Sequence, residues 1–276
     1  MALIAIASPK NAPGTSTTAL ALAAVWPRRS LYAEAGEWGG DLVYRRPIAE
    51  SGETLDPGTG MSSLGLAARR GLSPSTVWEH TQRLQGGQEV LLGLATAEQA
   101  TAWTGLWPQL GRTLAALSDI DVVADLGRIG PNSPTLELLP AASVVLLIAR
   151  TEAEDLAAVR DRAAAVTARL SPNGTVGPPV GVVLVAPRKE QVPAAGGLRQ
   201  LLANARIPAD VLGLIDEDPS GAAQVAGRKG GNVARSHLLR STRVLAATLG
   251  DRYGLGRQST ASPDAAPATT VRQEIR

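Results

Sequence analysis

Cysteine is absent from the 276-residue chain, which excludes disulfide frameworks, zinc knuckles, iron–sulfur clusters and thiol nucleophiles. Histidine occurs only at His80 and His237, too few for a histidine-rich metal site. Phenylalanine is also missing and aromatics total 3%, which argues against the stacking platforms that hold single-stranded nucleic acid. Lysine is confined to Lys10, Lys189 and Lys229, and every other basic side chain is arginine. The formal net charge is only +2, so composition by itself gives no nucleic-acid footprint. No stretch of about twenty residues is apolar and free of charge, so no transmembrane span is expected. The apolar start, residues 1–7, lacks a basic flank and is too short for a signal sequence. A cytoplasmic protein is the expectation.

What is present is ordinary globular chemistry, 44% hydrophobic and 19% charged. Short, continuously apolar runs at 3–7, 30–33, 90–92, 121–124, 144–149, 180–185 and 211–214 read as strands buried on both faces. Between most of them lie Ala- and Leu-rich stretches with helix-start signals. Ser73-Pro74 reads as an N-cap with proline at the first helical position. Thr96-Ala-Glu-Gln99 and Thr151-Glu-Ala-Glu154 read as capping boxes. Strand alternating with helix predicts an α/β fold, a doubly wound, mostly parallel sheet with helices on both faces. The expected organisation is one domain over 1–253 and a disordered tail over 254–276, rich in Ser, Thr, Pro and Ala. Residues 50–63 read as a loop on the ligand side of the sheet.

The most informative segment runs Ser8-Pro-Lys10-Asn-Ala-Pro-Gly14-Thr-Ser-Thr-Thr18. A strand, a glycine-containing turn and Ser/Thr at a helix start form the layout of a phosphate cradle, where backbone N–H groups and the helix dipole favour an anion. Taken alone, the layout also suits a βα loop that binds nothing.

The segment resembles the deviant Walker A loop, KGGxGKTT, of the ParA/MinD family of P-loop ATPases. The resemblance equates Lys10 with the family's extra signature lysine, Gly14 with the last loop glycine, Ser16 with the Mg²⁺-binding hydroxyl and Thr17 with its neighbour. Three positions depart. Asn11 and Ala12 replace glycines, and Thr15 replaces the lysine that reaches the β- and γ-phosphates. Further along, Glu34-Ala-Gly36-Glu37-Trp38-Gly39-Gly40-Asp41-Leu42 resembles the family's D-x-D-P-x-x-G-[GD]-x run, as in the branch that includes the TadZ/CpaE proteins. There Gly36 replaces the water-orienting Asp, and Glu37 is a flanking substitute whose side chain should point elsewhere. The run ending in Asp125-Leu-Gly127 resembles the Walker B strand and switch II. Gly213-Leu-Ile-Asp216-Glu-Asp218-Pro219 resembles the G-x-I-P-x-D loop beside the base, and Ala186 replaces the family's strand-end Asn.

The resemblance spans about residues 2–249. It implies nucleotide contacts at Lys10, Gly14, Thr15, Ser16, Thr17, Asp218 and Pro219, with ATP or ADP and Mg²⁺ as cofactors. It implies a metal shell of Ser16, Asp41 and Asp125, and a homodimer in which Lys10 crosses to the partner's site. No catalytic residue is assigned, Lys10 being the one candidate. The expected function is that of a ParA/MinD-like protein with degraded ATPase machinery, acting with a protein partner as a spatial positioning or assembly factor for a pilus or secretion system. A working ATPase in chromosome or plasmid partitioning and a nucleotide-independent interaction module are the alternatives. Arg28-Arg29, Arg45-Arg46 and Arg69-Arg70 offer a nonspecific DNA face, but scattered pairs read first as solvated surface. The basic stretch 234–249 reads first as an amphipathic closing helix. Residues 271–276 are too short and too charged for a membrane-binding helix.

Overall fold

In the computed structural model the elements follow the chain as β1 (Leu3–Ser8), α1 (Thr15–Val25), β2 (Ser30–Glu34), α2 (Met61–Ala68), α3 (Pro74–Glu79), β3 (Gln82–Arg83), β4 (Glu89–Leu91), α4 (Trp107–Ala115), β5 (Asp121–Arg128), β6 (Val144–Ala149), α5 (Ala153–Leu170), β7 (Val180–Ala186), α6 (Arg188–Asn204), β8 (Ala209–Asp216), α7 (Pro219–Val225) and α8 (His237–Tyr253). The structure describes residues 1–10, 14–45, 48–230 and 232–256. The substitutions at Asn11 and Ala12, the arginine Arg46 and the tail from 257 onward lie outside the described residues.

One sheet of eight strands runs in the order β3-β4-β2-β5-β1-β6-β7-β8. All neighbours are parallel except β3 and β4. The seven apolar runs of the sequence are seven of these strands. The eighth, β3, is two residues long and leaves no hydrophobic signature. Alternate residues of β1 serve different cores: Leu3, Ala5 and Ala7 face Leu110, Val159 and Leu198, whereas Ile4 and Ile6 face Leu22, Leu245 and Leu249. Helix α1 is buried almost all round, from Ala19 to Ala23, because it lies between the sheet and α8.

Ser73 caps α3 by accepting the Thr76 N–H at 3.2 Å, as the sequence predicts. The two capping boxes are not formed. Thr96 precedes a 3₁₀ turn and caps nothing, and the Ala95 N–H goes to Gln99 Oε1. Glu152, not Thr151, is the N-cap residue of α5, and the Thr151 hydroxyl reaches Glu190 instead. The loop expected over 50–63 ends early, since Met61 already begins α2. The basic helix starts at His237 rather than 234 and turns Leu238, Leu245 and Leu249 inward, with Gly254 closing it at φ +69°.

The chain crosses from one half of the sheet to the other around β1, whose neighbours are β5 and β6. In open α/β sheets that switch point, at the carboxyl ends of the strands, is where ligands bind. The first loop leaves β1 at this point.

Candidate functional site at the end of the first strand

Gly14 precedes α1 with φ +113°, a conformation that favours glycine, and its carbonyl accepts the Thr18 N–H at 2.7 Å. Thr15, where the resemblance expects a lysine, is a small side chain buried at 5% exposure. Ser16 hydrogen-bonds the Asp125 carboxylate, which also accepts the Tyr32 hydroxyl at 3.0 Å and the Gly127 N–H at 2.9 Å. Burial raises the Asp125 carboxyl above its ordinary range, against the lowering pull of these donors and of Arg45.

Glu34 is the Cα partner of Asp125 on the neighbouring strand. Its Oε1 accepts the backbone N–H groups of Asp41 and Leu42, and its Oε2 that of Gly93, each at 3.0 Å. The loop can close this tightly because Gly40 and Gly93 have no side chains. A Cβ on Gly40 would lie 2.8 Å from the Gly93 Cα. Burial pushes the Glu34 carboxyl up to about 7, with the Asp125 charge adding to it and the three N–H donors opposing. The Tyr32 hydroxyl is raised well above its ordinary value by burial and by both carboxylates. These three groups make a buried acidic cluster into which no lysine enters.

The other expected residues fall differently. Asp41 is exposed and gives the cluster only its backbone N–H. Lys10 is exposed, with Nζ 3.3 Å from the Glu154 carbonyl at the start of α5. Gly36 sits under the Leu126 carbonyl, 3.3 Å from where a Cβ would be, so an Asp there would need the backbone to give. Glu37 is held by the Ser133 hydroxyl. Trp38 is exposed, with the Arg128 guanidinium 4.9 Å over its ring. Among the described residues no group of three or more His, Cys, Asp or Glu side chains is arranged to hold a metal ion. Of the first two arginine pairs, Arg28 and Arg29 are engaged by Asp121 and Glu89.

On the opposite flank of the first loop a cavity of about 320 Å³ opens between α1, β7, β8 and α7. Gly14, Thr17 and Thr18 form one wall, and Val185, Ile215 and Leu238 make it apolar. Asp218 and Pro219 stand at its edge. Asp218 Oδ1 caps α7 through the Gly221 N–H, while Oδ2 accepts the His237 and Leu238 N–H groups of α8. Burial raises this carboxyl, but those donors and His237 outweigh it and hold it below the ordinary carboxylate range. Arg150 reaches Glu217 at 3.2 Å across the mouth, and Arg188 reaches Asp216 at 3.0 Å.

Sequence reasoning missed Tyr32 and Arg150. Tyr32 sits in an apolar strand and reads as core; its only signal is the Glu two residues on, which the strand period puts on the same face. Arg150 follows the last residue of β6 and meets Glu217 only because β6 and β8 flank β7.

The parts fit a Mg²⁺–nucleotide unevenly. A hydroxyl and a carboxylate stand together where the metal would be held, and a pocket of nucleoside size lies beside the glycine turn. Thr15 contributes no cation there and Gly36 no carboxylate.

The fold is that of solved ParA and MinD proteins. A ParA family ATPase from Chlorobium tepidum is 15% identical with a TM-score of 0.67, covering 89% of this chain and 98% of its own. The septum site-determining protein MinD from Pyrococcus horikoshii, complexed with Mg-ADP, is 13% identical with a TM-score of 0.66, covering 93% and 99%. The Aquifex aeolicus MinC:MinD cell division protein complex gives 14% identity and a TM-score of 0.57, covering 91% and 96%. No family model matches the chain, and no curated protein matches it. Among the described residues no helix is long and apolar enough to cross a membrane.

Proposed function

We propose that this chain is a ParA/MinD-like protein that binds an adenine nucleotide with Mg²⁺ but does not turn it over at a useful rate. In this reading it acts through a protein partner in the cytoplasm as a positioning or assembly factor, of the pilus or secretion kind that the TadZ/CpaE resemblance implies. One observation carries it. The Ser16–Asp125 pair and the Gly14 pocket are present, while the two positions that the resemblance makes hydrolytic hold Thr15 and Gly36. Ser16 would hold Mg²⁺ with Asp125 behind it, Gly14 and Thr17 would face the phosphates, and Val185, Pro219 and Leu238 would flank the base. The bound cation would supply positive charge to the buried carboxylates. Lys10, exposed beside the first loop, suits a homodimer whose isologous face includes that loop. The MinC:MinD neighbour supports a protein partner in general terms.

Losing a preorganised charge typically costs about 2–4 kcal/mol in the transition state, so two losses should slow hydrolysis at least about a thousandfold. The test is ATP turnover by the wild type beside Thr15→Lys with Asn11→Gly and Ala12→Gly. No turnover above background in the wild type, and ATP affinity raised about tenfold or more in the triple variant, are expected. Magnesium-dependent wild-type turnover abolished by Asp125→Asn would sink the reading in favour of a working partitioning ATPase.

A second reading, the nucleotide-independent module, is favoured by how fully the polar groups are used internally. Asp125, Glu34 and Asp218 all accept hydrogen bonds from their own chain, and Lys10 donates to the Glu154 carbonyl. A triple variant that folds and still binds no ATP would decide for this second reading.

A further inference from the structure

On the far side of the first loop from the Gly14 pocket, α5 and the segment 131–136 bound a second cavity, of about 480 Å³. Its floor is apolar, from Pro131, Leu136 and Val166, and its rim carries Lys10, Arg162 and Arg169. Arg162, Val166 and Arg169 fall at i, i+4 and i+7, so one stripe of α5 supplies both floor and cations. The one acid in the lining, Asp161, is taken by Arg160 at 2.6 and 2.8 Å. Lys10 donates to a backbone carbonyl, and Asp155 at the start of α5 is the acid that feels its field. Neither arginine on the stripe has an ion pair among the described residues. The Arg162 Nε is shut off from solvent with no hydrogen-bond partner. A donor left in that state is costly unless something brings it an acceptor.

We propose that this cavity is a docking groove for a short acidic, amphipathic segment of a partner protein. Apolar side chains of the segment would cover Leu136 and Val166, and its carboxylates would lie on the guanidinium forks of Arg162 and Arg169. An arginine fork over an apolar floor selects for both features at once. Duplex DNA would satisfy the cations with phosphates and leave the floor bare. Because Pro9 and Lys10 line the same groove, an occupant would touch the segment leading to Ser16. The proposal does not depend on nucleotide binding.

The test uses the full chain and fluorescence anisotropy. The first probe is a labelled peptide of about 16 residues with leucines at helical spacing and glutamates between them. The second is the same peptide with lysines for glutamates, and the third is a labelled random duplex. The glutamate peptide should bind with an affinity that falls as salt rises. Arg162→Gln with Arg169→Gln should weaken it about tenfold or more with the circular dichroism unchanged. The lysine peptide should not bind the wild type but should gain affinity for Arg162→Glu with Arg169→Glu. Absence of glutamate-peptide binding up to about 1 mM, binding indifferent to both double variants, or duplex held more tightly through the same two arginines would each overturn the proposal.

Discussion

The two flanks of the first loop are built from similar strand ends but differ in what lies beside them. Toward β2 and β5, Glu34 and Asp125 are buried, face each other in register and accept donors from their own chain. Toward β7 and β8, Asp216 is also buried but lines a cavity with Glu217 and Asp218, and it pairs with the exposed Arg188 while Glu217 pairs with the half-buried Arg150. Register accounts for the difference. Glu34 ends β2 beside a β5 that continues past it to Arg128, so it is covered. Asp216 is the last residue of β8, and the two acids after it lie beyond the sheet. Both flanks use carboxylates to hold the fold, Glu34 and Asp218 each accepting three backbone N–H groups; what distinguishes the second is the cavity beside it.

The contrast breaks most sharply at Asp125. Asp125→Ala leaves the buried Tyr32 hydroxyl and the half-buried Ser16 hydroxyl and Gly127 N–H without their acceptor; at roughly 1–3 kcal/mol for a buried donor and less for the other two, a loss of about 2 kcal/mol or more is expected in urea unfolding. The matching change on the open flank, Glu217→Ala, removes a pair whose side chains are 30% and 34% exposed and should cost under about 1 kcal/mol. Equal losses would erase the distinction between the flanks.

Between these lies a pH effect. The Glu34 carboxyl is raised from 4.5 to about 7 in the folded chain, so the folded state binds that proton more tightly than the unfolded one. Its contribution is therefore fully present below about 4.5 and is lost as pH rises through about 7. Denaturant midpoints measured from pH 5 to 8 should fall with rising pH in the wild type. The slope should flatten in Glu34→Gln, which cannot titrate. A wild-type slope unchanged by the substitution would place the titrating group elsewhere.

Much of this was legible in the sequence. Continuous Val/Ile/Leu runs announce strands buried on both faces, and seven of the eight strands carry that mark. β3 does not, because Gln82 and Arg83 form an edge held by the antiparallel pairing with β4. Thr96 and Thr151 carry capping-box spacing yet cap nothing, since a 3₁₀ turn and a start at Ala153 put the free N–H groups elsewhere. In the site, Ser16 and Asp125, picked out by two separate sequence motifs, stand side by side. Local pattern says nothing of Glu34 binding three backbone N–H groups, two seven or eight residues on and one across the sheet at Gly93. Nor does it show that Asp218 joins two helices, because that bond spans from the start of α7 to the start of α8.

Whether nucleotide binding has outlived hydrolysis at this site is decided by calorimetric titration with ATP and with ADP, each with and without Mg²⁺. Saturable binding of both nucleotides, tighter with Mg²⁺ and with no ATP consumed during the titration, is expected. Absence of binding under all four conditions, or heat from continuous turnover on adding ATP with Mg²⁺, would contradict it.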